Sequence, residues 1–269
     1  MNAVRPKPLS ESPDACWSRV RGVFTDIDDT ITVGGRVPSV VFAAMEKLRE
    51  AGLLVIPITG RPAGWCDLIA RQWPVDAVVG ENGAFYYRYD SGPSTMRRVY
   101  ADDERTRAAN RARLDAIRDE VLVSVPGAAV ASDQPFRIND LAIDFCEDVK
   151  PLAPGAVDEI VSVFERHGAT AKVSSIHVNG WFGTNDKLTM TRQLMAEQFD
   201  IDIDADESRL TFAGDSPNDA PMFGFFSCSV GVANLRDFLA QCPAAPAWIT
   251  QAERAAGFVE LAHRILAAR

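Results

Sequence analysis

The chain has no surplus of basic residues, no closely paired cysteines and no long apolar run. Its 28 lysines and arginines face 37 acids, for a net charge of −9. Nucleic-acid binding needs a basic surface to neutralise phosphates, so this balance argues against a nucleic-acid partner. A small phosphorylated ligand stays open, because a few local cations and a metal ion can invert the local field. The five cysteines, Cys16, Cys66, Cys146, Cys228 and Cys242, are scattered and include no CxxC pair. That pattern excludes a zinc signature and suits a reducing, cytoplasmic setting. No stretch approaches a membrane span, and residues 1–18 hold no apolar core of signal-peptide length, so no membrane partner is expected. Internal repeats and low-complexity segments are also missing, and nothing fixes an oligomeric state.

What is present is an ordinary globular composition, 47% hydrophobic and 24% charged, in a chain of 269 residues. That length allows one large domain or two ordinary ones. Prolines and polar residues up to about Asp14 give an expected flexible tail over 1–18. Next come an apolar strand (20–25), a helix at 38–51 ended by Gly52, and a strand at 53–58 with Pro57 as a local distortion. A helix at 63–72 and a strand at 77–79 complete the rhythm of a parallel sheet with crossover helices.

The rhythm then changes. Residues 85–89 and 96–100 flank a turn and read as a hairpin. A helix at 102–123, a strand at 138–145, a helix at 154–167 and a strand pair within 170–182 follow. The parallel pattern returns with a helix at 187–199, strands at 210–213 and 229–232, and a closing helix at 258–268. The expected architecture is α/β: a Rossmann-like parallel-sheet core (19–84 and 184–269) with an inserted α/β cap (85–183).

Two acidic loops follow apolar strands at opposite ends of this pattern: Asp26-Ile27-Asp28-Asp29-Thr30, and Gly214-Asp215-Ser216-Pro217-Asn218-Asp219. Carboxylates are hard oxygen ligands, and a magnesium ion in a phosphoryl-transfer site takes one or two of them plus substrate oxygens and water. Open α/β sheets place their ligand crevice at the carboxyl ends of the strands, where both loops fall.

Four segments in order, Asp26–Thr30 as DxDxT, Thr59-Gly60-Arg61 after a strand, Lys187 at a helix start and Gly214–Asp219 as GDxxND, resemble the motifs of the haloacid dehalogenase superfamily. Glu81-Asn82-Gly83-Ala84 and the position of the insertion resemble its type IIB branch of Cof-like sugar-phosphate phosphatases, which also includes phosphomannomutases. The resemblance implies that Asp26 attacks phosphorus and forms an aspartyl-phosphate, splitting hydrolysis into two steps. It implies that Asp28 protonates the leaving oxygen and later activates water. Mg2+ would sit on the Asp26 carboxylate, the Asp28 backbone carbonyl and Asp215, with Asp219 supporting the cation-binding cluster or Lys187. Thr59, Gly60, Lys187 and Asn218 would contact phosphate; Asn218 also suits a helix cap.

Arg61 either contacts substrate or pairs with an acid at the rim. Asn82 and, in the insertion, Arg137, Asp140, His177, Asn179 and Trp181 are candidates for setting substrate choice. Trp181 equally suits packing at the hinge, and His177 reads as a satisfied structural histidine. One departure from the family pattern is Asp29, which stands where the family most often has glycine. A second acid there bears on metal affinity or on the loop dihedral. The implied activity is hydrolysis of a small phosphorylated metabolite, such as a sugar phosphate or a glycosyl-glycerate phosphate. The alternatives are a phosphohexomutase of the phosphomannomutase type and a catalytically silent binding module.

Overall fold

Alternation along the central strands decides how the layers form. In a strand, successive side chains point to opposite faces, and here both faces are apolar, so each face takes its own helices. A computed structural model describes residues 5–269. It opens with a two-residue strand β1 (Lys7–Pro8) and a one-turn helix α1 (Asp14–Trp17). The sequence β2 (Gly22–Thr25), α2 (Ser39–Glu50), β3 (Leu54–Pro57), α3 (Ala63–Gln72), β4 (Val78–Gly80) then forms the first parallel run. A hairpin, β5 (Phe85–Asp90) and β6 (Thr95–Tyr100), precedes α4 (Glu104–Ser124), β7 (Ala129–Val130), β8 (Leu141–Asp144), α5 (Pro154–Arg166), β9 (Thr170–Val173) and β10 (His177–Trp181). The chain closes with α6 (Lys187–Phe199), β11 (Leu210–Gly214), α7 (Ala220–Phe225), β12 (Val230–Gly231), β13 (Trp248–Ile249) and α8 (Arg254–Ala267).

The main sheet has the order β1-β13-β12-β11-β2-β3, parallel throughout. Val23 and Val55 face α2, α3 and α8, packing with Val41, Met45, Cys66, Phe258 and Leu261. Their neighbours Phe24 and Ile56 face α6 and α7, packing with Met190, Leu194, Met222 and Phe223. Pairing β2 with both β3 and β11 brings the Asp26 loop between the Thr59 and Asp215 loops, all at strand carboxyl ends. Pro57 is the last residue of its strand, where its missing N–H costs little.

Two boundaries differ from the sequence reading. The expected tail is built into the fold: β1 pairs in parallel with β13, and Leu9 and Trp17 are buried in the core. Ser12 caps this segment by accepting the Trp17 indole N–H and donating to the Leu9 carbonyl. Three prolines suggested flexibility, yet two apolar anchors outweigh that composition. Residues 1–4 lie outside the described residues. The hairpin, expected in the cap, belongs with the core: β5 pairs with β4, and Ile58 bridges Val79 to join this sheet to β3. Phe85 and Tyr87 lie in one core cluster and Tyr86 in the other.

The cap proper is therefore an antiparallel sheet, β7-β8-β10-β9, with α4 and α5 packed together against it. Leu141, Ile143 and Val178 point into the cap's own core with Leu114, Ile117, Ile160 and Phe164. By strand alternation the register pairs His177↔Asp144 and Asn179↔Ala142 therefore project from the opposite face. Gly180 has no alternative: a Cβ there would overlap the Phe164 ring.

Candidate active site

Asp26 lies just beyond β2, buried, with its backbone N–H donating to the Ala213 carbonyl. Lys187, at the first position of α6, is buried too, and its ammonium lies 2.6 Å from Asp26 Oδ1 and 2.7 Å from Asp219 Oδ1. The other Asp219 oxygen accepts the backbone N–H groups of Asp215 and Ser216, at 3.0 and 3.3 Å. Gly214 makes this possible, since a Cβ there would overlap that carboxylate. Asp219 is thus a positioning residue that holds both Lys187 and the Asp215 loop.

Asp215 is 1% exposed, and Thr30 donates to its Oδ1 at 3.1 Å. Asn234 donates to its Oδ2 at 3.4 Å and to the Asp29 carbonyl at 3.0 Å. Asp26, Asp215 and Asp219 bring carboxylate oxygens within 4.8 Å of one another. Three acids are therefore buried together with one ammonium, which touches Asp26 and Asp219 but not Asp215, and charge is left over. Burial, opposed by Lys187 and reinforced by Asp219 and Asp28, pushes the Asp26 carboxyl up to about 8. Burial, with Asp26 and Asp219, pushes Asp215 well above the usual carboxylate range. Burial works against the Lys187 charge, but Asp219 and Asp26 outweigh it and raise its pKa above that of an ordinary lysine. A buried oxygen-rich cluster with surplus negative charge fits a hard divalent cation held by Asp26 and Asp215.

Asp29 occupies the left-handed region at φ 54°, where glycine, asparagine and aspartate are the usual residues. An aspartate is therefore compatible with this loop position. Its charge is answered by Arg254, whose Nε lies 2.8 Å from Asp29 Oδ1.

Thr59 and Gly60 follow β3. The Thr59 hydroxyl accepts the Arg61 N–H at 3.0 Å, and the Gly60 carbonyl accepts from Arg137 at 2.9 Å. Asn218 is half-buried on the cavity wall and accepts the Ser216 hydroxyl at 2.7 Å. Arg61 is far from any rim, at 4% exposure. Its Nε and Nη2 grip both Asp28 oxygens at 2.8–3.0 Å, its Nη2 meets Glu147 at 2.8 Å, and its guanidinium lies 4.5 Å over the Trp65 ring. A core residue thereby ties the second motif aspartate to the cap.

The cap candidates divide. Arg137 has a fully enclosed side chain: Nε and Nη2 engage Asp133, and Nη1 engages Asp140 and the Gly60 carbonyl. With its donors so employed, it fastens cap to core from the wall of the cavity. Trp181 is 2% exposed, and its indole N–H donates to the Asn185 carbonyl at 3.2 Å, so it packs the hinge. Asn82 is buried beside Gly60 at φ 53°, inside a left-handed run from Glu81 to Gly83. Asn179 does reach the cavity wall and donates to Asp140 at 2.9 Å. His177 also lines the cavity, with Nε2 2.9 Å from Glu147 Oε2.

Sequence reasoning missed Thr30 and Asn234 behind Asp215, Glu147 on the cap, and Ser174, Ser175 and Ile176, which line the cavity opposite Asp26, Asp28, Ser216 and Asn218. It also missed the work of Glu81, whose buried carboxylate accepts the backbone N–H groups of Ala63, Ile138, Asn139 and Asp140 at 2.7–3.3 Å. Those bonds hold residues 138–140 as a loop, so β8 begins at Leu141 and not at the expected 138. The ENGA segment marked Glu81; for Glu147 and Asn234 no local pattern exists. With the cap seated this way, the inner cavity offers about 20 Å³, while a cleft of about 570 Å³ opens outward past Ser174, Ser175, Ser216 and Asn218.

No protein-family model matches the sequence. No curated protein is similar to it in sequence. Solved structures do match over nearly the whole chain. A protein of Thermoplasma acidophilum aligns with TM-score 0.69 and 15% identity, covering 92% of this chain and 98% of that one. The sucrose-phosphatase of Synechocystis, solved with sucrose and phosphate, aligns with TM-score 0.63 and 16% identity, covering 92% and 98%. A haloacid dehalogenase subclass IIB sugar phosphatase aligns with TM-score 0.64 and 13% identity, covering 93% and 100%. At such identities the likeness is one of architecture, and on that ground the chain has the haloacid dehalogenase fold.

Proposed function

We propose that this protein is a magnesium-dependent phosphatase that hydrolyses a small phosphorylated metabolite through an aspartyl-phosphate on Asp26. The observation that carries the reading is the convergence of three separate segments: Asp26 and Asp28 from the loop after β2, Asp215 from the loop after β11, and Lys187 from the start of α6. Asp26 and Asp215 would hold Mg2+, which supplies charge neutralisation so that a phosphate dianion can approach a carboxylate. Lys187, locked between Asp26 and Asp219, orients the nucleophilic carboxylate and stabilises charge on the phosphoryl oxygens. Asp28 stands two residues on at the cavity wall, directed by Arg61, and transfers the proton to the leaving oxygen. The cap excludes bulk water from the step.

Sugar phosphates are the substrate class to try first, supported by neighbouring folds described as sucrose-phosphatase and sugar phosphatase, and glycosyl-glycerate phosphates come next. The test is phosphate release from a panel of sugar, polyol and glycosyl-glycerate phosphates, with magnesium, with chelator, and with Asp26→Asn. Turnover should fall by about 10³-fold or more in Asp26→Asn while the circular dichroism spectrum is retained. Most activity surviving in that variant would contradict the mechanism. Isomer formation without phosphate release would move the assignment to a mutase.

A further inference from the structure

The apolar stripe of α5 is wider than the cap needs. Ile160, Val163 and Phe164 close the cap's own core, while Val157 and Val161 on the same helix stay half-buried. Both line the outer cleft, together with Phe145 and with Val173 from the edge strand β9. Across the gap stand Phe238 and Pro243, from the turns between β12 and β13. The charged side chains on the cleft wall, Asp158 and Lys172, are both exposed. A cleft of about 570 Å³, lined mainly by hydrocarbon with few polar groups, has the size and make-up of a small-molecule site.

This cleft is continuous with the phosphoryl site, because Ser174, Ser175, Ser216 and Asn218 line both spaces. They form a polar neck. The Asn218 carbonyl oxygen accepts the Ser216 hydroxyl, which leaves the Asn218 amide N–H groups to donate elsewhere. The Ser175 backbone carbonyl accepts the Cys146 thiol at 3.3 Å, and the Ser175 hydroxyl has no partner among the described residues. The inner cavity offers about 20 Å³, room for about one or two water-sized groups. With the cap seated, the alcohol portion of an ester on Asp26 therefore finds its space beyond the neck.

We propose that the outer cleft is a distal substrate subsite for a hydrocarbon chain, so that the preferred ester is amphiphilic: hydroxyl-bearing next to the phosphoryl group and alkyl further out. The inference rests on the phosphatase reading and narrows its substrate class. Hydroxyls near the ester oxygen meet Ser175 and Asn218 in the neck. The chain beyond them displaces water from Phe145, Val157, Val161 and Phe238, and this burial supplies affinity without any new charge.

The experiment compares kcat/KM for glycerol 3-phosphate and its 1-O-methyl, 1-O-butyl and 1-O-hexyl ethers, all below micelle-forming concentrations. Phenyl phosphate reports the core chemistry separately. In the full-length wild-type protein, kcat/KM should rise by about threefold for each methylene that the cleft covers, mainly through a lower KM. Val157→Asn and Val161→Asn should each flatten the series, whereas Val123→Asn, at an exposed site on α4 away from the cleft, should leave it unchanged. A flat series in the wild type, with phenyl phosphate still hydrolysed, overturns the inference and leaves the phosphatase standing. A series equally steep in folded Val157→Asn and Val161→Asn proteins overturns the placement of the chain in this cleft. A flat series together with a dimer that Val157→Asn dissociates, read by size-exclusion chromatography, gives the cleft to a second copy and overturns the inference. No turnover of any ester, phenyl phosphate included, overturns both readings.

Discussion

The Asp215 carboxyl is fully buried, and what holds it in place is Thr30 on one oxygen and Asn234 on the other. Residues behind a metal ligand fix its direction, and their loss typically weakens metal binding by about 10–100-fold. Asn234→Ala should therefore weaken Mg2+ or Mn2+ binding within that range, read by calorimetric titration, with little loss of fold. An unchanged affinity would show that Thr30 and the strand end hold Asp215 without Asn234. The Arg61–Asp28 contact and the Asp29–Arg254 pair belong to the same scale. The DxDxT pattern exposed Asp26 and Asp28, because both lie within one short segment. Asn234, Glu147 and Arg254 were hidden because each reaches the site from a loop or helix end with no local spacing rule of its own.

At the scale of elements, the joint between core and cap rests on Glu81 and Arg137. Glu81 collects four backbone N–H groups, from Ala63 and from residues 138–140. Glu81→Ala would leave those donors without a partner in a buried place, at a cost of about 1–3 kcal/mol for each donor that stays dry. The expected outcome is a lower urea midpoint and faster proteolysis near residues 138–140; equal stability would mean that the loop is seated by Arg137 alone. Helices and central strands were legible from apolar periodicity, because each buries one stripe or both faces. The hairpin β5–β6 pairs with β4, which its own pattern does not announce, because that pattern is the same whether it pairs with the core or with the cap. Only the register to β4 decides, and that is a long-range property. The N-terminal segment failed for a related reason, since burial of Leu9 and Trp17 depends on partners far along the chain.

For the molecule as a whole, the crowded acids link stability to pH and to divalent cations. Asp26 is raised to about 8, Glu81 to about 7, and Asp215 well above its ordinary value. A carboxyl with a raised folded-state pKa contributes stability that is present below its unfolded value and lost as pH rises through the folded value. The metal-free protein should therefore lose stability between about pH 4 and pH 8. A divalent cation that prefers the ionised cluster should raise Tm more at pH 8 than at pH 5. Thermal melts at both pH values, with magnesium and with chelator, check this; a magnesium increment that is equal at the two would contradict a site made of Asp26 and Asp215.

The central claim is that Asp26 carries the phosphoryl group. Borohydride reduces an acyl phosphate, so turnover of the best ester in its presence should convert Asp26 to homoserine, found by peptide mass spectrometry. Conversion is expected at Asp26 alone, dependent on magnesium and on substrate. Steady phosphate release with Asp26 unmodified would contradict it and point to direct attack by water.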